Sequence, residues 1–437
     1  MRKLQTDQHS VRILHSFRRN PAETASERRR GRSAHVHSIR LSPKTGTGDA
    51  IAATRRHLEL AWAQRNGHVS MLALDWRKAF DCINTSALII ALRRFGVPEG
   101  VLEVIQSIYT DRRFRVPSSQ GDSTWKSQAA GISQGCPLSP FLFVMLMTVL
   151  LRDAVGTLSQ QDQRSYAEGE LSALLYADDT LLVGGSAPGL QRLVEAVART
   201  GAKFGLQLHA DKFQLIQARH TDTIFDHEGA PVTPKHNMLY LGTAMAADGT
   251  VAKELGHRIG AASAAFNSLA QLWRHTGVTR QRKTEIFQAV VTSRLLYGLS
   301  SAWLNVAEQR RLDGFQARCL RRIWGIQPSY LSRVSNKEVL RTSGQLPYRR
   351  QLMKQQLTLF GKVARARDDD PVRRLTFCPG SLRPTTSRYV RRRGRPRHEW
   401  ATKLWEHGVK LAGDAGKLPG ILADKKVWEH AVATYCG

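Results

Sequence analysis

Three aspartates, Asp75, Asp178 and Asp179, are the residues of this chain whose types and spacing best suit chemistry. Asp75 closes an apolar segment that the pattern predicts to be a buried strand. The other two stand between the apolar runs 174–176 and 181–183, a pattern typical of a β-hairpin with its acids at the tip. Adjacent anions repel each other and lose hydration unless cations neutralise them. Because an Asp-Asp pair alone is more often a solvated turn, the pair needs support from the rest of the chain.

The strand and the hairpin would bring the three carboxylates together if they pair in one sheet. Carboxylates grouped in this way hold two Mg²⁺ ions about 3.5–4 Å apart in polymerases and nucleases. The sequence therefore predicts a two-metal site with Asp75, Asp178 and Asp179 as ligands. We expect Asp179 to act less directly, because adjacent residues on a strand point to opposite faces.

The net charge indicates a class of partner. The chain has 437 residues, with 65 Lys and Arg against 36 Asp and Glu, which gives a formal charge of +29. A positive field of this size favours a polyanion, and nucleic acid is the commonest one. Ribosomal and membrane-surface proteins share the same balance, so the charge by itself predicts no reaction.

Other features of the sequence indicate the compartment. The five cysteines contain no CxxC pair, which is typical of a reducing compartment and gives no support for a zinc site. The longest apolar run, residues 141–151, is shorter than the ~20 residues that span a bilayer and predicts a buried helix. No apolar secretory signal opens the chain. We expect an intracellular protein, nuclear or cytoplasmic, that binds no membrane.

The order of the predicted elements indicates the fold class. Residues 1–45 are predicted to be a basic, mostly disordered arm. A helix, a strand, two helices, a third helix, the acidic hairpin, a helix and a strand follow, which predicts an α+β fold: a split βαβ antiparallel sheet with helices on one face. From residue 255 the periodicity is helical, and 366–397 is predicted to be an exposed linker before a last helix at 400–411.

Arginines recur at two places in the C-terminal half. Three of them lie at helical spacing on one face that could follow a phosphate backbone, although a solvated face is an equally good interpretation: Arg311, Arg318 and Arg322. Three more belong to an Arg-Gly-Arg-Pro-Arg tail: Arg393, Arg395 and Arg397. The tail resembles an AT-hook core that lies in a narrow minor groove, and a basic linker is the simpler alternative.

Three segments together resemble one enzyme family. Residues 74–81 (LDWRKAFD), 131–143 (GISQGCPLSPFLF) and 176–179 (YADD) look like the first palm motif, the second motif and the catalytic box of the reverse transcriptases of non-LTR (LINE-like) retrotransposons. Each motif alone is modest evidence for the family, but the three motifs in this order and at fitting spacing are specific evidence. Weaker matches are the segment 205–212 (GLQLHADK) and the turn 240–242 (YLG).

The resemblance implies a right-hand polymerase. It implies partial fingers and a palm in residues 46–250, a helical thumb in 251–345 and a basic C-terminal region in 346–437. The implied activity is RNA-templated synthesis of DNA, in which deoxynucleoside triphosphates extend a primer 3′-hydroxyl. The implied partners are an RNA template and a DNA primer, and the implied cofactors are two Mg²⁺ ions, with Mn²⁺ as an alternative.

The resemblance also implies roles for single residues. Phe80 would collide with a ribose 2′-hydroxyl and so select deoxynucleotides. Gln134 and Gly135 would let the chain approach the incoming nucleotide, and Tyr176 would lie beside the primer terminus. Lys212 would lie near the leaving pyrophosphate. The primer-grip turn would consist of Tyr240, Leu241 and Gly242.

The chain departs from the family's pattern in ways that leave alternatives open. The first fingers segment, the N-terminal endonuclease domain and a Cys/His zinc knuckle have no recognisable copy. A truncated relic that binds nucleic acid without polymerising therefore stays an alternative. An RNA-templated RNA polymerase fits less well, because those enzymes usually carry Gly-Asp-Asp in the catalytic box and a polar residue in the place of Phe80. The oligomeric state stays open.

Overall fold

The computed structural model describes residues 46–119, 121–275, 277–390, 392–393 and 399–437. These residues form two compact units. The first contains the continuous segment Val69–Lys235, and the second combines Thr47–His68 with His236–Gly437. The predicted basic arm and two of the predicted tail arginines, Arg395 and Arg397, lie outside the described residues.

The first described helix, α1 (Thr47–Ala63), belongs to the second unit. The elements of the first unit follow in chain order: β1 (Val69–Leu74), α2 (Ala79–Cys82), α3 (Thr85–Phe95), α4 (Glu99–Tyr109), β2 (Arg113–Phe114), β3 (Lys126–Ser127), α5 (Ser139–Gly156), α6 (Gln160–Glu168), β4 (Leu171–Tyr176), β5 (Asp179–Gly184), α7 (Ala187–Lys203), a 3₁₀ turn (Ala210–Lys212) and β6 (Gln214–Ala218). β2 and β3 form a small separate hairpin.

A four-stranded antiparallel sheet organises the first unit, in the order β4-β5-β1-β6. On one side of β1, Leu74 lies level with Thr180 of β5; on the other, Met71 lies level with Ile216 of β6. The central strands are buried along most of their length, as their continuous apolar pattern predicts. The predicted α+β class with an antiparallel sheet is confirmed.

Helix α5 lies at the centre of the first unit's core and packs against α3 and α7. Among the described residues it is the one helix long and apolar enough to cross a membrane, and 67% of it is buried inside the protein. The predicted buried helix at 141–151 is thus confirmed. It is longer than predicted because it begins at Ser139, where Pro140 fits the first turn.

The second unit is helical apart from one hairpin. After α1 its elements are, in chain order, β7 (Asn237–Tyr240), β8 (Thr243–Ala246), α8 (Ala252–Ser268), α9 (Ala270–Arg274), α10 (Arg280–Phe287), a π-helical turn (Gln288–Thr292), α11 (Ser293–Leu296), a 3₁₀ turn (Leu299–Ser301), α12 (Val306–Trp324), α13 (Ser329–Ser332), α14 (Asn336–Thr342), α15 (Tyr348–Ala364), α16 (Pro371–Thr376), a 3₁₀ turn (Thr385–Arg388), α17 (Trp400–Ala412), α18 (Leu418–Ala423) and α19 (Lys425–Cys436).

The hairpin of the second unit ends in a tight turn. Leu241 and Gly242 both take positive φ angles, 48° and 67°, which suits the two-residue turn of a type I′ hairpin. The Tyr297 hydroxyl donates a hydrogen bond to the Leu241 carbonyl at 3.0 Å, and the Arg258 guanidinium donates to the Gly242 carbonyl. The helices therefore fix the conformation of the turn.

Charged side chains bind α1 into the second unit. Asp49 pairs with Lys362 of α15, with 2.6 Å between Oδ2 and Nζ. Arg56 donates to the Ser301 carbonyl at 2.7 Å and pairs with Glu59 at 2.8 Å. These contacts join residues far apart in the chain, so no local sequence pattern predicts them.

The prediction of an exposed linker over residues 366–397 is wrong for much of that segment. It contains α16 and a 3₁₀ turn, and Val372 and Phe377 are buried. Phe377 packs edge-to-face against Phe360 of α15, with 5.3 Å between ring centroids. The charged residues around it masked an apolar contact that only the folded chain creates.

Candidate active site

The end of the first unit's sheet brings the three aspartates together. Because Leu74 lies opposite Thr180 in the β1–β5 ladder, the next residue along, Asp75, comes level with Asp179. Asp178 precedes Asp179 at the hairpin tip, and both are exposed. We call these three carboxylates, with Lys212 described below, the acidic corner.

A two-residue turn, Ala177-Asp178, joins β4 to β5, and Tyr176 pairs with Asp179 across it. Ala177 takes a φ of 55°, in the left-handed region that costs a residue with a Cβ about 1 kcal/mol. Tight hairpins require this sign of φ because it matches the twist of the strands. The predicted hairpin with its acids at the tip is confirmed.

Trp76 holds the chain beyond Asp75 against β5. Its indole Nε1 donates a hydrogen bond to Thr180 Oγ1 at 3.0 Å, and both side chains are buried. Gly201 of α7 lies against the indole ring, where a Cβ would come within 2.7 Å of Cζ3. The absence of a side chain at Gly201 therefore makes room for the tryptophan that fixes the neighbour of Asp75.

The segment after α7 brings a cation to Asp75. The His209 amide donates to the Asp75 carbonyl at 2.9 Å, and the 3₁₀ turn that follows brings Lys212 Nζ to 2.8 Å from Asp75 Oδ2. This oxygen is buried and accepts no well-aligned hydrogen bond from the described residues. The ion pair with Lys212 is therefore the interaction that neutralises it in this part of the chain.

The pKa of Asp179 lies above the usual range of an aspartate. The packing of atoms around its carboxyl group, followed by the negative charges of Asp178 and Asp75, raises its pKa to about 6. The residue is exposed at the sheet edge, so solvent weakens both effects, but both act in the same direction. A cation among the carboxylates would oppose the repulsion and lower the pKa.

The donor atoms of the acidic corner suit a hard divalent cation. Mg²⁺ and Mn²⁺ prefer carboxylate oxygens, and Asp75 Oδ2 is a buried oxygen of that kind. The side chains do not form a closed coordination sphere, because no three Asp, Glu, His or Cys residues in the described ranges have ligand geometry. The ammonium of Lys212 lies beside Asp75 instead. The residues therefore fit a metal by their chemistry.

Phe80 and Gln134 belong to two segments that are fixed against each other. Phe80 stacks on Phe143 of α5, with 4.8 Å between ring centroids, and its carbonyl accepts a hydrogen bond from the Ile132 amide at 2.7 Å. Gln134 Nε2 donates to the Asp81 carboxylate at 3.0 Å. The first and second sequence motifs thus form one structural block.

Two glycines shape the loop of the second motif. Gly131 has a φ of 90°, and a Cβ there would come within 2.7 Å of the Asp81 carbonyl oxygen. Gly135 has a φ of 81° and open space around it. Gly131 thus allows a close backbone approach, while Gly135 leaves a gap beside the exposed Gln134.

A comparison with protein families gives the identity of this region. The model of the family described as "Reverse transcriptase (RNA-dependent DNA polymerase)" matches residues 28–245. Residues 28–245 belong to the reverse transcriptase family. The matched residues contain all three motifs and the β-strands of the acidic corner.

Curated relatives of this reverse transcriptase domain come from mobile elements. The chain is 34% identical over 143 residues to the Pol polyprotein of the R2DM element of Drosophila melanogaster, which covers 32% of this chain and 13% of that protein. It is 27% identical over 251 residues to an R2 polyprotein of Popillia japonica, 56% and 35% of the two chains. The polymerase of the jockey element of Drosophila funebris is 24% identical over 269 residues, 58% and 28% of the two chains.

These matches confirm the resemblance to non-LTR retrotransposon reverse transcriptases. The chain spans about a third or less of the length of these relatives. Among solved structures, the telomerase of Candida tropicalis with a telomeric RNA fragment aligns over 98% of this chain and 56% of its own, with a TM-score of 0.42 and 13% identity. That likeness is low, and the fold follows from the sheet and its register.

The tyrosines predicted to contact the primer differ in their accessibility. Tyr176 of the reverse transcriptase catalytic box is half-buried beside the turn. Tyr240 is only 2% exposed, so its ring packs within the hairpin and offers no surface to a primer. This burial weighs against a contact between the Tyr240 ring and a primer, and the role of the turn 240–242 stays a prediction. Leu241 and Gly242 at the turn are accessible.

The predicted arginine face of α12 exists as an exposed face. Arg311, Arg318 and Arg322 are exposed on this helix, while the residues between them pack into the core. Of the tail arginines, Arg393 is described and is exposed. The helix face is thus available to a phosphate backbone.

Sequence reasoning missed the residues that position the acidic corner. Neither the Trp76–Thr180 hydrogen bond nor the role of Gly201 is predicted from the motifs. Gly201 itself is a usable signal, because a glycine inside a helix costs about 1 kcal/mol of stability relative to alanine and usually has a packing reason. The link from Gln134 to Asp81 joins two motifs that the sequence shows only separately.

Proposed function

We propose that this chain is an RNA-templated DNA polymerase that extends a primer 3′-hydroxyl with deoxynucleotides. The observation that carries the proposal is the meeting of Asp75, Asp178 and Asp179 at the end of the antiparallel sheet, with Lys212 beside them. Membership of the reverse transcriptase family supports it. An RNA template, a DNA primer and deoxynucleoside triphosphates would be its substrates.

Asp75 and Asp178 would hold the metal ions in this proposal, and Asp179 would assist. Bound Mg²⁺ or Mn²⁺ would supply activation of the 3′-hydroxyl and neutralisation of the triphosphate. Asp75 is kept in place by the backbone pairing on both sides of β1, and the rigid turn holds Asp178 at the hairpin tip. It matters that the ligands are already in position, because a small displacement of the reacting groups lowers the reaction rate.

Lys212 would act on the leaving pyrophosphate. Its side chain is 61% exposed, so it would be able to turn from Asp75 toward a bound triphosphate. An ammonium at that point would neutralise the developing charge and give a proton to the leaving oxygen. The ion pair with Asp75 then keeps the side chain near the site between reactions.

Phe80 would select the sugar of the incoming nucleotide. The ring is held by its stack on Phe143, so it cannot turn aside for an additional hydroxyl group. Gln134 and Gly135, both exposed beside this ring, would contact the nucleotide and the template. The exposed arginines of α12 and the net charge of +29 would attract the phosphates of both strands.

Primer extension on a homopolymer RNA template tests the proposal. Asp75→Asn and Asp178→Asn each remove one charge without changing size, and each should lower extension by about 10³-fold. Asp211→Asn is the matched control, because this neighbouring aspartate is 88% exposed and should leave extension within about twofold. Binding of the primer–template should stay unchanged in all three variants.

Two results would contradict the proposal. Extension at the wild-type rate by either variant would remove the acidic corner from the reaction. Filter binding of nucleic acid by the wild-type protein, without any incorporation under conditions in which a full-length relative is active, would favour the relic that only binds. Robust incorporation would exclude that alternative.

A further inference from the structure

The second unit contains a cavity of about 710 Å³ that the proposed reaction does not use. Residues of α1, β8 and the beginning of α12 form its walls, with residues 392, 393 and 399 at its border. The walls are mainly apolar and include the indoles of Trp62 and Trp303 and the side chain of Met245. Cavities of roughly 300–1,000 Å³ with apolar walls and a few polar groups are typical of small-molecule sites. We call it the arginine cavity.

Arg55 places a buried positive charge in the wall of the arginine cavity. The residue is only 7% exposed, and its Nε and Nη2 are buried without a hydrogen-bond partner in the described residues. The two nearby acids, Glu254 and Glu59, attract Arg55 electrostatically but form their hydrogen-bonded ion pairs with other arginines. Glu254 binds Arg258 at 2.5 Å, and Glu59 binds Arg56 at 2.8 Å. A buried cation without a hydrogen-bonded partner is costly, and burial lowers the pKa of Arg55 to about 10.

The other acids at the cavity also have partners within the protein. Glu308 accepts a hydrogen bond from the Asn305 amide at 2.8 Å in the cap of α12. Glu399 accepts one from Thr402 Oγ1 at 2.8 Å. In the described residues these side chains therefore leave Arg55 Nε and Nη2 without a hydrogen bond.

Further positive charge lies at the border of the cavity beside an aromatic ring. The Arg392 guanidinium lies 5.4 Å from the centre of the Trp62 ring, and its amide donates to the Ala63 carbonyl at 3.1 Å. Arg393 is exposed next to it. The cavity thus combines cations with flat apolar walls, which suits an anion that carries an aromatic body.

We propose that the arginine cavity binds a small organic anion with a planar aromatic ring. Its phosphate or carboxylate head would pair with Arg55, and its ring would lie between the indoles of Trp62 and Trp303. A mononucleotide and an aryl carboxylate share this chemistry, and the test separates them.

Calorimetric titration of the full-length protein tests the proposal with three probes: dAMP, 2-naphthoate and inorganic phosphate. A dissociation constant below about 1 mM for either ring-bearing anion, with phosphate at least tenfold weaker, is the expected result. Tighter binding of dAMP identifies a nucleotide site, and tighter binding of naphthoate identifies an aryl carboxylate site. The proposal is overturned if neither ring-bearing probe binds at about 10 mM, a concentration at which even weak specific binding is detected.

Variants show whether the binding occurs at this cavity. Arg55→Met should weaken binding of the ring-bearing probe by about twentyfold or more, because the substitution removes the positive charge and keeps a side chain of similar volume. Arg310→Met, at an exposed arginine of α12 that does not line the cavity, is the matched control and should change the dissociation constant by less than about twofold. Equal binding by the Arg55→Met and wild-type proteins would overturn the assignment.

Thermal unfolding shows whether the Arg55→Met variant is folded, so that a loss of binding can be assigned to the lost charge. Without ligand, Arg55→Met should melt at the wild-type temperature or above it, because it removes a buried charge that lacks a partner. If this variant does not fold, Arg55→Lys and Trp62→Leu carry the test, and each should weaken the ring-bearing probe by about fivefold. Unchanged binding in both would overturn the proposal. Asp178→Asn should bind the probe normally, so failure of the proposed polymerase function would leave this result intact.

Discussion

The acidic corner of the first unit and the arginine cavity of the second hold uncompensated charge in opposite ways. The corner gathers carboxylates at the exposed end of a sheet, where Lys212 neutralises Asp75 and solvent reaches the hairpin tip. The cavity holds the largely buried Arg55 guanidinium among helices, where its Nε and Nη2 lack a hydrogen-bond partner in the described residues. One site gathers carboxylates at a sheet edge, and the other buries a guanidinium in the wall of a partly open cavity.

This difference separates two kinds of ligand. At the open corner, the packing of atoms and the neighbouring carboxylates raise the pKa of Asp179 to about 6, while water and ions reach the carboxylates and screen them. At the cavity, Arg55 is only 7% exposed, so solvent screens its charge less, and an anionic ligand that fits the walls would add to the attraction of Glu254 and Glu59. The open corner thus suits turnover, and the cavity suits retention of a ligand.

Two glycine substitutions compare the rigidity of the units and should have the largest effects on the free energy of unfolding. In Gly201→Ala the new Cβ meets the Trp76 ring at 2.7 Å, and in Gly361→Ala it overlaps the indole of Trp428. Each should lower the free energy of unfolding by about 1–3 kcal/mol in urea titrations. Only Gly201→Ala should also lower primer extension, by about tenfold or more, because Trp76 fixes the residue next to Asp75.

Extension is measured at a temperature at which both glycine variants are folded. An equal loss of extension in the two variants would mean that general destabilisation, rather than the position of Trp76, controls the rate.

Phe80→Val tests whether the ring of this residue selects the sugar of the incoming nucleotide. The smaller side chain should raise incorporation of ribonucleotides relative to deoxynucleotides by about 10–100-fold, because a steric barrier of this size is worth ~1–3 kcal/mol. Competitive incorporation on one template measures the ratio. Phe95→Val, at an exposed phenylalanine of α3, is the control. Unchanged sugar selectivity in Phe80→Val would remove this ring from the mechanism.

Lys212→Met tests whether the ammonium and a metal share Asp75. Extension should fall by about 10–100-fold, because the leaving pyrophosphate loses its cation. Binding of Mn²⁺, followed by electron paramagnetic resonance, should become about threefold tighter, because a competing charge has gone. Lys203→Met at the exposed end of α7 serves as the control. Weaker Mn²⁺ binding in Lys212→Met would show that the lysine supports the metal instead.

Asp179→Asn should have the smallest effect, and the effect should depend on pH. The pKa of Asp179 in the folded protein, about 6, lies above its ordinary value of 3.8, so the folded protein holds the proton more tightly than the unfolded chain does. The carboxylate therefore destabilises the fold increasingly as the pH rises from 3.8 to about 6. The variant should melt about 2–4 °C higher than wild type above pH 6, and the gain should vanish below pH 4.

Added Mg²⁺ sharpens this last measurement. A bound cation favours the anionic form of Asp179, so Mg²⁺ should stabilise the wild-type protein more than the variant at pH 7.5. An equal gain in melting temperature at pH 4 and pH 8 would show that the charge of Asp179 is not the cause.

The sequence predicts the framework of the acidic corner because that framework depends on local patterns. The apolar runs around the Asp178-Asp179 pair give the hairpin. The two helices predicted after the first strand are α3 and α4, and Gly96 and Pro98 stop one helix and start the next. The motifs of the resemblance then identify which acids meet. All of these features are contained in short stretches of chain.

The remaining features depend on contacts between distant residues. No local pattern shows that Gly201 faces Trp76, that Asp49 pairs with Lys362, or that two nitrogens of Arg55 lack a hydrogen bond within the described part of the chain. The same reason explains the incorrect linker prediction, because a charged segment conceals the few apolar residues that pack. A charged segment is reliably predicted to be exposed only when its residues have no contacts with distant parts of the fold.

The placement of α1 has a consequence for the order of events during synthesis. This helix leaves the ribosome before any residue of the first unit, yet its partners Ser301 and Lys362 are made only after that unit is complete. The segment 69–235 has all four strands of its sheet in one uninterrupted stretch and can fold as soon as it emerges. The nascent chain therefore carries a finished sheet between two halves of an unfinished helical unit, and α1 cannot complete its contacts until Ser301 and Lys362 have been made.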